Sequence, residues 1–171
     1  SGTGSEKFEV IDGELKIKDG VQLNFESNND FSLTINASNQ NGTSTSFQFT
    51  ITVNDVNDSP TDIGLSNMSV NENADSNETV GTLSYIDPDN DTATYSLESG
   101  DIAYFNIDGA TLRATDAFDY ETKPSYTLTI RVTDSGGLTY DKEFTITVND
   151  VNDSPTDIGL SNMSVNENAD S

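Results

Sequence analysis

The 171-residue chain contains no cysteine, no histidine and no tryptophan, and each absence excludes a class of chemistry. Without cysteine there are no disulfides and no thiol chemistry, so a secreted domain would need another stabiliser, of which a bound metal is the obvious one. Without histidine, a His-based catalytic triad, a His general base and the common zinc and iron sites are excluded. Without tryptophan, an aromatic platform of the kind that stacks on ligands lacks its largest side chain.

Basic side chains are also scarce, because 7 Lys and Arg stand against 30 Asp and Glu, for a net charge of −23. Nucleic acid and anionic membrane surfaces are bound through Lys and Arg, so neither is expected as a partner. No apolar run approaches the ~20 residues of a membrane-spanning helix, and we expect no membrane insertion. The apolar residues alternate with period two, which indicates folded strands rather than disorder.

A long internal duplication divides the chain. Residues 49–76 are identical to residues 144–171, which lie 95 residues further on. A period of this length is the size of a domain and predicts a tandem array. We therefore expect residues 1–57 to be the C-terminal part of an incomplete repeat, 58–152 to be a complete repeat, and 153–171 to be the opening strand of a third.

The complete repeat reads as short strands separated by turn residues. The pattern predicts an all-β fold, an antiparallel β-sandwich of immunoglobulin-like size with Greek-key topology. The predicted strands are Ile63–Val70, Val80–Tyr85, Ala93–Leu97, Tyr104–Ile107, Thr111–Ala114, Tyr126–Val132 and Tyr140–Val148.

Acidic and amide side chains are concentrated where the repeats meet. Between a strand that ends at Val53 and a proline at Pro60 lie two carboxylates, Asp55 and Asp58, and two carboxamides. Oxygen ligands crowded onto a short junction suit calcium, although Asp and Asn also favour turns for local reasons. The second copy of this linker and further acidic clusters at strand ends favour calcium. Those clusters are Val70–Asn73, Ile86–Asp91, Phe118–Glu121 and Val132–Asp134.

In these motifs the chain resembles the cadherin extracellular repeat, in the tandem form of large bacterial surface adhesins. The motifs are an acidic residue after the first strand, an Asp-x-Asp pair, a Leu-Asp-x-Glu-like element, an Ala-x-Asp-like aspartate and an Asp-x-Asn-Asp-Asn-like linker. They correspond here to Glu72, Asp87 with Asp89, Phe118–Glu121, Asp134 and Asp150–Ser154. The resemblance implies a cadherin-like β-sandwich in which up to three Ca²⁺ ions are held between successive repeats.

Carried over position by position, the resemblance implies two calcium junctions. The first would use Glu26, Asp55, Asn57, Asp58, Asp87, Asp89 and Asp134. The second would use Glu72, Asp119, Glu121, Asp150, Asn152 and Asp153. The sequence departs from the pattern at Ser59 and Ser154, and it leaves open whether Asn90 or Asp91 supplies a further oxygen.

These features predict a calcium-dependent cell-surface adhesion or extender module rather than an enzyme. Its expected location is extracellular, on a bacterial cell surface or secreted, and its partners would be neighbouring repeats and a homotypic, glycan or protein ligand. The alternative is a calcium-containing carbohydrate-binding module of a secreted or surface protein, although the tyrosines fit core or strand-pair positions. Because the first repeat reads as incomplete, head-to-tail self-association through it is a further expectation.

Overall fold

The computed structural model describes residues 1–161, 163, 164 and 167, and their regular structure is almost entirely β-strand. Two short 3₁₀ turns, Ser5–Lys7 and Ile102–Tyr104, are the exceptions among these residues. The strands are β1 Phe8–Ile11, β2 Glu14–Ile17, β3 Asp30–Ser38, β4 Ser44–Thr52, β5 Asp62–Leu65, β6 Ser69–Asn71, β7 Thr79–Ile86, β8 Ala93–Gly100, β9 Phe105–Asp108, β10 Thr111–Ala114, β11 Ser125–Asp134 and β12 Thr139–Asn149. The all-β prediction is confirmed.

Strands β5 to β12 form two four-stranded sheets. One has the hydrogen-bonded order β5-β7-β10-β9, and the other has the order β6-β12-β11-β8. The first 54 residues contribute two smaller sheets, β1-β2 and β3-β4. The chain divides into two compact units, one made of Ser1–Gly64, Ser84–Tyr95 and Arg131–Lys142, and the other of Leu65–Leu83, Ser96–Ile130 and Glu143–Ser171.

The predicted first strand, Ile63–Val70, is wrong in one respect, because it is two strands that belong to different sheets. β5 joins the sheet of β7, whereas β6 pairs in parallel with β12. Asn67 holds the bend between them, since its side-chain amide donates to the carbonyls of Ser69 at 2.7 Å and Val80 at 2.8 Å. A side-chain amide that satisfies two main-chain carbonyls lets the chain leave one sheet and enter the other without a loop.

The other strand predictions agree with the structure to within a few residues. β10 has the predicted bounds, and β11 and β12 extend the predicted segments at both ends. Tyr104 differs, because it closes a 3₁₀ turn and its strand begins at Phe105. The antiparallel expectation also has one exception, the parallel pair of β6 and β12.

Each unit has its own apolar core. In the unit that contains β9 and β10, the side chains of Leu112, Leu128 and Ile146 are fully buried. In the other unit, Phe8 and Phe31 meet edge to face with ring centroids 5.4 Å apart. Leu33 completes that cluster, and Leu23, Ile51 and Val53 pack against it. The first 54 residues are therefore not an uncovered sheet, because part of their apolar surface forms a small core.

Four backbone hydrogen bonds within residues 24–53 recur 95 residues later in the complete repeat. The N–H of Asn39 donates to the Thr43 carbonyl at 2.9 Å, and 95 residues later Asp134 donates to Leu138 at 3.0 Å. Other matching pairs of backbone bonds, again 95 residues apart, are Asn28 to Asn24 with Lys123 to Asp119, Gly42 to Asn39 with Gly137 to Asp134, and Val53 to Asn29 with Val148 to Pro124. The 95-residue offset that relates the two copies in the sequence therefore also relates matching hydrogen bonds in the structure. The domain boundaries after residues 57 and 152 stay predictions.

Residues of the first repeat and their counterparts 95 residues later differ in how far their side chains are exposed to solvent. Phe144 on β12 is 6% exposed, whereas its counterpart Phe49 on β4 is 47% exposed. Val10 and Ile17 on the first hairpin are also about half exposed. The predicted third opening strand has no regular structure at residues 153–160, and Val165, at its end, lies outside the described residues.

This contrast supplies a matched test of core packing. Phe144→Ala should lower the free energy of unfolding by about 3–5 kcal/mol, because it removes a buried aromatic ring and leaves a cavity. Phe49→Ala should cost less than about 1 kcal/mol, since half of that ring already faces solvent. Urea unfolding of the two variants at low protein concentration measures the difference. Equal losses would contradict the assignment of Phe49 to an open face.

Candidate metal centres

The first candidate centre lies at the linker that follows β4. Carboxylates from three segments meet there, Glu26 in a turn before β3, Asp55 in the linker and Asp89 after β7. One oxygen from each lies within 4.8 Å of the others. Buried Pro60 and the bond from the Thr61 N–H to the Ile86 carbonyl, at 2.8 Å, fix the end of the linker against β7.

Two carboxylate oxygens at this centre are buried without a hydrogen-bond partner. They are Oδ2 of Asp87 and Oδ1 of Asp89. The remaining oxygens are used, because Asp87 Oδ1 accepts from the Asp89 N–H at 2.9 Å and Asp89 Oδ2 accepts from the Asp58 N–H at 2.6 Å. A buried carboxylate oxygen without a donor is costly, and a bound cation would satisfy both oxygens.

Asn57 and Asp134 form the next part of the first centre. The Asn57 amide donates to Oδ2 of Asp134 at 3.0 Å. Gly136 makes room for this approach, because a Cβ built there would lie 2.4 Å from Asn57 Oδ1. Burial alone would raise the pKa of Asp134, but the Asn57 amide and the N–H groups of Leu138 and Gly137 outweigh it and hold the pKa below its ordinary value. Asp134 is therefore held as an anion.

The second candidate centre is built on Glu72, which directly follows β6 and is only 3% exposed. Its Oε1 accepts from the Val151 N–H at 2.5 Å, and its Oε2 accepts from the Tyr120 N–H at 2.9 Å. These two donors hold the pKa of the Glu72 carboxyl below its ordinary value. Glu72 thus ties the linker after β12 to the Phe118–Glu121 segment.

Glu121 and Asp150 complete the second cluster, with one oxygen of each within 4.8 Å of the other and of Glu72. The backbone N–H of Glu121 itself lowers the pKa of its carboxyl. Desolvation and the negative charges of Glu72, Asp150 and Asp153 outweigh that bond, and the pKa of Glu121 is raised overall. The pKa of Glu121 is thus raised by desolvation and by repulsion from its carboxylate neighbours, which a bound cation would relieve.

The remaining predicted ligands of the second junction lie close by but outside the tight cluster. Both oxygens of Asp119 accept bonds from Thr122 at 2.8 Å, which lower the pKa of Asp119. The Asn152 amide donates to the Asp153 carbonyl at 3.1 Å, and Asp153 Oδ1 faces the Asn73 amide at 3.5 Å. At the first junction, Asp58 likewise contributes its N–H to Asp89 rather than its carboxylate to the cluster.

Sequence reasoning missed three contributors to these centres. One is Gly136, whose close approach to Asn57 leaves no signal in a single sequence. The N–H groups of Tyr120 and Val151 orient Glu72, and backbone donors have no side-chain signature.

The sequence left open whether Asn90 or Asp91 supplies a further oxygen at the first junction. In the structure, Asp91 accepts a hydrogen bond from the Ser135 hydroxyl, and Asn90 has a left-handed backbone conformation with φ 57°.

The basic side chains pair with carboxylates other than the predicted ligands. Lys142 binds Asp62 at 2.7 Å, Lys123 binds Asp101 at 2.5 Å, and Arg131 holds Asp141 through two bonds. Lys16 and Arg113 contact Glu14 and Asp108. Five of the seven basic side chains thus contact carboxylates outside the two candidate centres.

The residues of both centres fit calcium. The donor sets consist of carboxylate and amide oxygens, the hard ligands that Ca²⁺ selects, in numbers that suit its high coordination. The buried, unpartnered oxygens of Asp87 and Asp89 are an observation for which protein donors give no account. Zinc is a poorer match because histidine and cysteine are absent from the chain.

Paired β-sheets with acidic clusters at successive linkers define a cadherin-like fold. A family model described as a cadherin domain matches residues 66–149, which lie almost entirely within β6 to β12. This part of the chain is similar to a cadherin domain, and the expected cadherin-like fold is thereby supported.

The curated relatives are protocadherins. Protocadherin Fat 2 of Mus musculus is 39% identical over 145 residues, which cover 78% of this chain and 3% of that protein. Protocadherin beta-1 of Homo sapiens is 33% identical over 103 residues, which cover 56% of this chain and 13% of that protein. The chain therefore spans a small part of the length of these relatives. They are mammalian proteins, so they do not support the bacterial part of the expectation.

Solved structures show the same fold. Human protocadherin-24 EC1-2 superposes with a TM-score of 0.73 at 22% identity, covering 88% of this chain and 80% of that one. Protocadherin gammaB7 EC3-6, solved as a cis-dimer, gives a TM-score of 0.61 at 24% identity and covers 87% of this chain and 40% of that one. At this identity the likeness concerns the fold.

Two further observations bear on the alternatives. Among the described residues, no helix is long and apolar enough to cross a membrane. The aromatic rings cluster among themselves, since Tyr126 contacts Tyr104 at 4.8 Å and Phe118 at 4.9 Å between ring centroids. Rings that pack on each other make a poor flat platform for a sugar, and the carbohydrate-binding alternative is not favoured.

The two glutamates of the second centre should respond oppositely to neutralisation. With calcium removed, Glu72→Gln should lower the melting temperature at pH 7. The pKa of the Glu72 carboxyl is depressed in the folded state, so its charged form stabilises the fold when the pH is above 4.5, the ordinary pKa of a glutamate. That contribution is lost as the pH falls. Glu121→Gln should raise the melting temperature at pH 7, because the raised pKa makes the charged form unfavourable in the folded state.

Thermal melts in EDTA at pH 7 and pH 3 measure both effects, and each difference from the parent chain should shrink at pH 3. Glu143→Gln, on the exposed face of β12, is the charge-matched control. Shifts of the same sign for Glu72→Gln and Glu121→Gln would contradict the electrostatics assigned to this centre.

Proposed function

We propose that the chain is a calcium-dependent cell-surface adhesion or extender module in which Ca²⁺ ions at the inter-repeat linkers stiffen a tandem array. The observation that carries the proposal is the convergence of linker carboxylates with carboxylates from neighbouring segments, at Glu26, Asp55 and Asp89 and again at Glu72, Glu121 and Asp150. Bound calcium would supply the positive charge that lets these oxygens share one site.

The mechanism follows from which segments provide the ligands. Asp55 belongs to the linker, while Asp89 follows β7 of the complete repeat and Glu26 belongs to the preceding one. Without a cation, three carboxylates within 4.8 Å repel one another and favour separation of the segments that carry them. With Ca²⁺ bound to oxygens from all three, the linker would lose its freedom, and the array would resist bending.

The proposed calcium ligands are the full sets given by the resemblance. At the first junction the buried oxygens of Asp87 and Asp89 support the assignment, and Asn57 and Asp134 lie in contact beside them. At the second junction, Asp119, Asn152 and Asp153 adjoin the cluster of Glu72. The Asn57 amide donates to Oδ2 of Asp134, and this oxygen would exchange that hydrogen bond for the metal.

The proposed setting is extracellular. Calcium sites of extracellular modules have dissociation constants of roughly 10⁻⁴–10⁻³ M, so they fill outside cells and empty at cytosolic calcium. Several of the matched structures are described as extracellular cadherin domains. A bacterial surface as the particular setting stays a prediction from the sequence resemblance.

The proposed partners are neighbouring repeats and other copies of the chain. The protocadherin gammaB7 fragment was solved as a cis-dimer, a precedent for association through cadherin domains in that protein. For this chain we propose head-to-tail self-association through residues 1–54, whose exposed Phe47 and Phe49 form an apolar face. The proposed role is adhesive and mechanical, with no catalytic step.

Calcium should raise the melting temperature. Millimolar CaCl₂ supplies a ligand that binds the folded linkers and not the unfolded chain, so at one hundred times the dissociation constant it adds about 2.7 kcal/mol per independent site. Differential scanning calorimetry with CaCl₂, MgCl₂ and EDTA measures the shift. A melting temperature that is the same in CaCl₂ and EDTA would defeat the calcium proposal.

Aspartate substitutions should rank by their place in the site. Asp87→Asn should weaken calcium binding by at least about tenfold, because it removes the charge of a buried oxygen without a donor. Asp108→Asn removes the same charge from an exposed turn, where the side chain is 78% exposed, and should change binding little. Isothermal titration calorimetry compares the two. Equal losses would show that net charge, and not coordination, governs binding.

A further inference from the structure

The hairpin that joins β3 to β4 has a tip sequence that occurs nowhere else in the chain. The tip is formed by residues 39–43, and Asn41-Gly42 within it is the one Asn-Gly pair among the 171 residues. The matching hairpin of the complete repeat, which joins β11 to β12, has Gly136 in the position of Asn41. The chemistry of an Asn-Gly pair is therefore confined to the first of the two hairpins.

An asparagine side chain can react with the backbone nitrogen of the residue that follows it. The Gly42 nitrogen would bond to Cγ of Asn41 while the bond from Cγ to Nδ2 breaks, and Nδ2 would leave as ammonia with the proton of the Gly42 N–H. Water then opens the five-membered succinimide at either carbonyl carbon, which gives aspartate or isoaspartate at position 41. Glycine favours this ring closure because it has no Cβ to hinder the approach.

The structure leaves the reacting groups accessible. Asn41 and Gly42 are both exposed, and among the described residues the Asn41 side-chain amide has no hydrogen-bond partner. Gly42 has a φ of 79°, and a Cβ built on it would meet no atom within 4 Å. Packing around Gly42 thus does not hinder the rotation that brings its nitrogen to the side chain.

Other asparagines are held by bonds that Asn41 lacks. Asn67 donates its side-chain amide to two main-chain carbonyls. Asn36 accepts from the Ser46 hydroxyl at 2.6 Å and lies inside β3, whose backbone is held by the ladder to β4. Because Asn36 belongs to the same hairpin and precedes a small residue, Ala37, it is an internal reference for the effect of backbone order.

Asn39 restrains the tip. Its Oδ1 accepts from the N–H groups of Asn41 and Thr43, both at 3.0 Å. The Gly42 N–H, whose nitrogen is the attacking atom, donates to the Asn39 carbonyl at 3.1 Å. This last bond has to open before the nitrogen can attack, so the rate of the reaction depends on how often the tip opens.

We propose that Asn41 is a site of spontaneous covalent modification, at which the amide is converted to aspartate and isoaspartate with water as the co-reactant and ammonia as the product. Both products add a negative charge to a chain that already carries −23. Isoaspartate also lengthens the backbone by one atom at the tip, and it would disturb the bond from the Asn39 N–H to the Thr43 carbonyl, 2.9 Å, that closes the hairpin. The inference goes beyond the proposed function and does not depend on calcium.

Peptide mapping by mass spectrometry, after the folded chain has been held at pH 8 and 37 °C, measures the reaction. Asn41 should gain the small mass that exchange of NH₂ for OH gives, and its peptide should separate into aspartyl and isoaspartyl forms. Asn36 should stay unmodified in the same peptide. Asn41→Gln should abolish the change, because attack on the longer side chain would need a six-membered ring. The rate should be equal in CaCl₂ and EDTA.

Two variants of Asn39 test the restraint on the tip. Asn39→Ala removes the acceptor of two N–H groups and should raise the rate at Asn41 by about three- to tenfold, because the tip opens more often. Asn39→Asp keeps an acceptor oxygen, as Asp134 does in the complete repeat, and should leave the rate near that of the parent chain. Asn36 should stay unmodified in both variants, which shows that β3 remains ordered.

Three results would each overturn the proposal. The first is an unmodified Asn41 in the folded chain under conditions that convert it in the urea-unfolded chain. The second is equal modification of Asn36 and Asn41, and the third is the same rate at Asn41 in the two Asn39 variants. Modification of Asn41 in a chain whose melting temperature ignores calcium would support this inference and reject the proposed function alone.

Discussion

The arrangement of the linkers depends on the mutual repulsion of carboxylates that the fold forces together. Asp55 and Asp89 lie with Glu26 in a cluster whose oxygens are within 4.8 Å of one another, and the pKa of Glu121 is raised in the other cluster. The seven basic side chains cannot offset thirty acidic ones, and the ion pairs that they form lie elsewhere. In the proposed function, an external cation would relieve this repulsion, and the rigidity of the linkers would then depend on the calcium concentration around the chain.

The sequence predicted the fold class because two independent patterns agreed. Alternating apolar residues indicated strands, and the exact duplication of residues 49–76 placed their boundaries in register. What it could not predict was the break between β5 and β6. The apolar alternation of Ile63 and Leu65 changes phase at Asn67, but the bend itself depends on the Asn67 side chain reaching the carbonyls of Ser69 and Val80. A contact with Val80, on another strand, leaves no periodic signal.

The candidate sites were predictable in composition and less so in geometry. Acidic residues at strand ends marked both centres, and the structure brings Glu72, Glu121 and Asp150 together as the motif suggested. The sequence did not indicate that Glu72 would be held by two backbone N–H groups, because main-chain donors are common to every residue. Nor did it indicate the role of Gly136, whose missing Cβ makes room for Asn57.

The central claim is that calcium fixes one repeat relative to the next through shared carboxylates. The absence of cysteine allows two spin labels to be attached at introduced cysteines, for example at Asn41 in the first repeat and Asp108 in the second. Pulsed electron resonance then gives the distribution of distances between them. The account predicts a broad distribution in EDTA that narrows to a single sharp peak in millimolar calcium. Distributions of the same width in both conditions would contradict it.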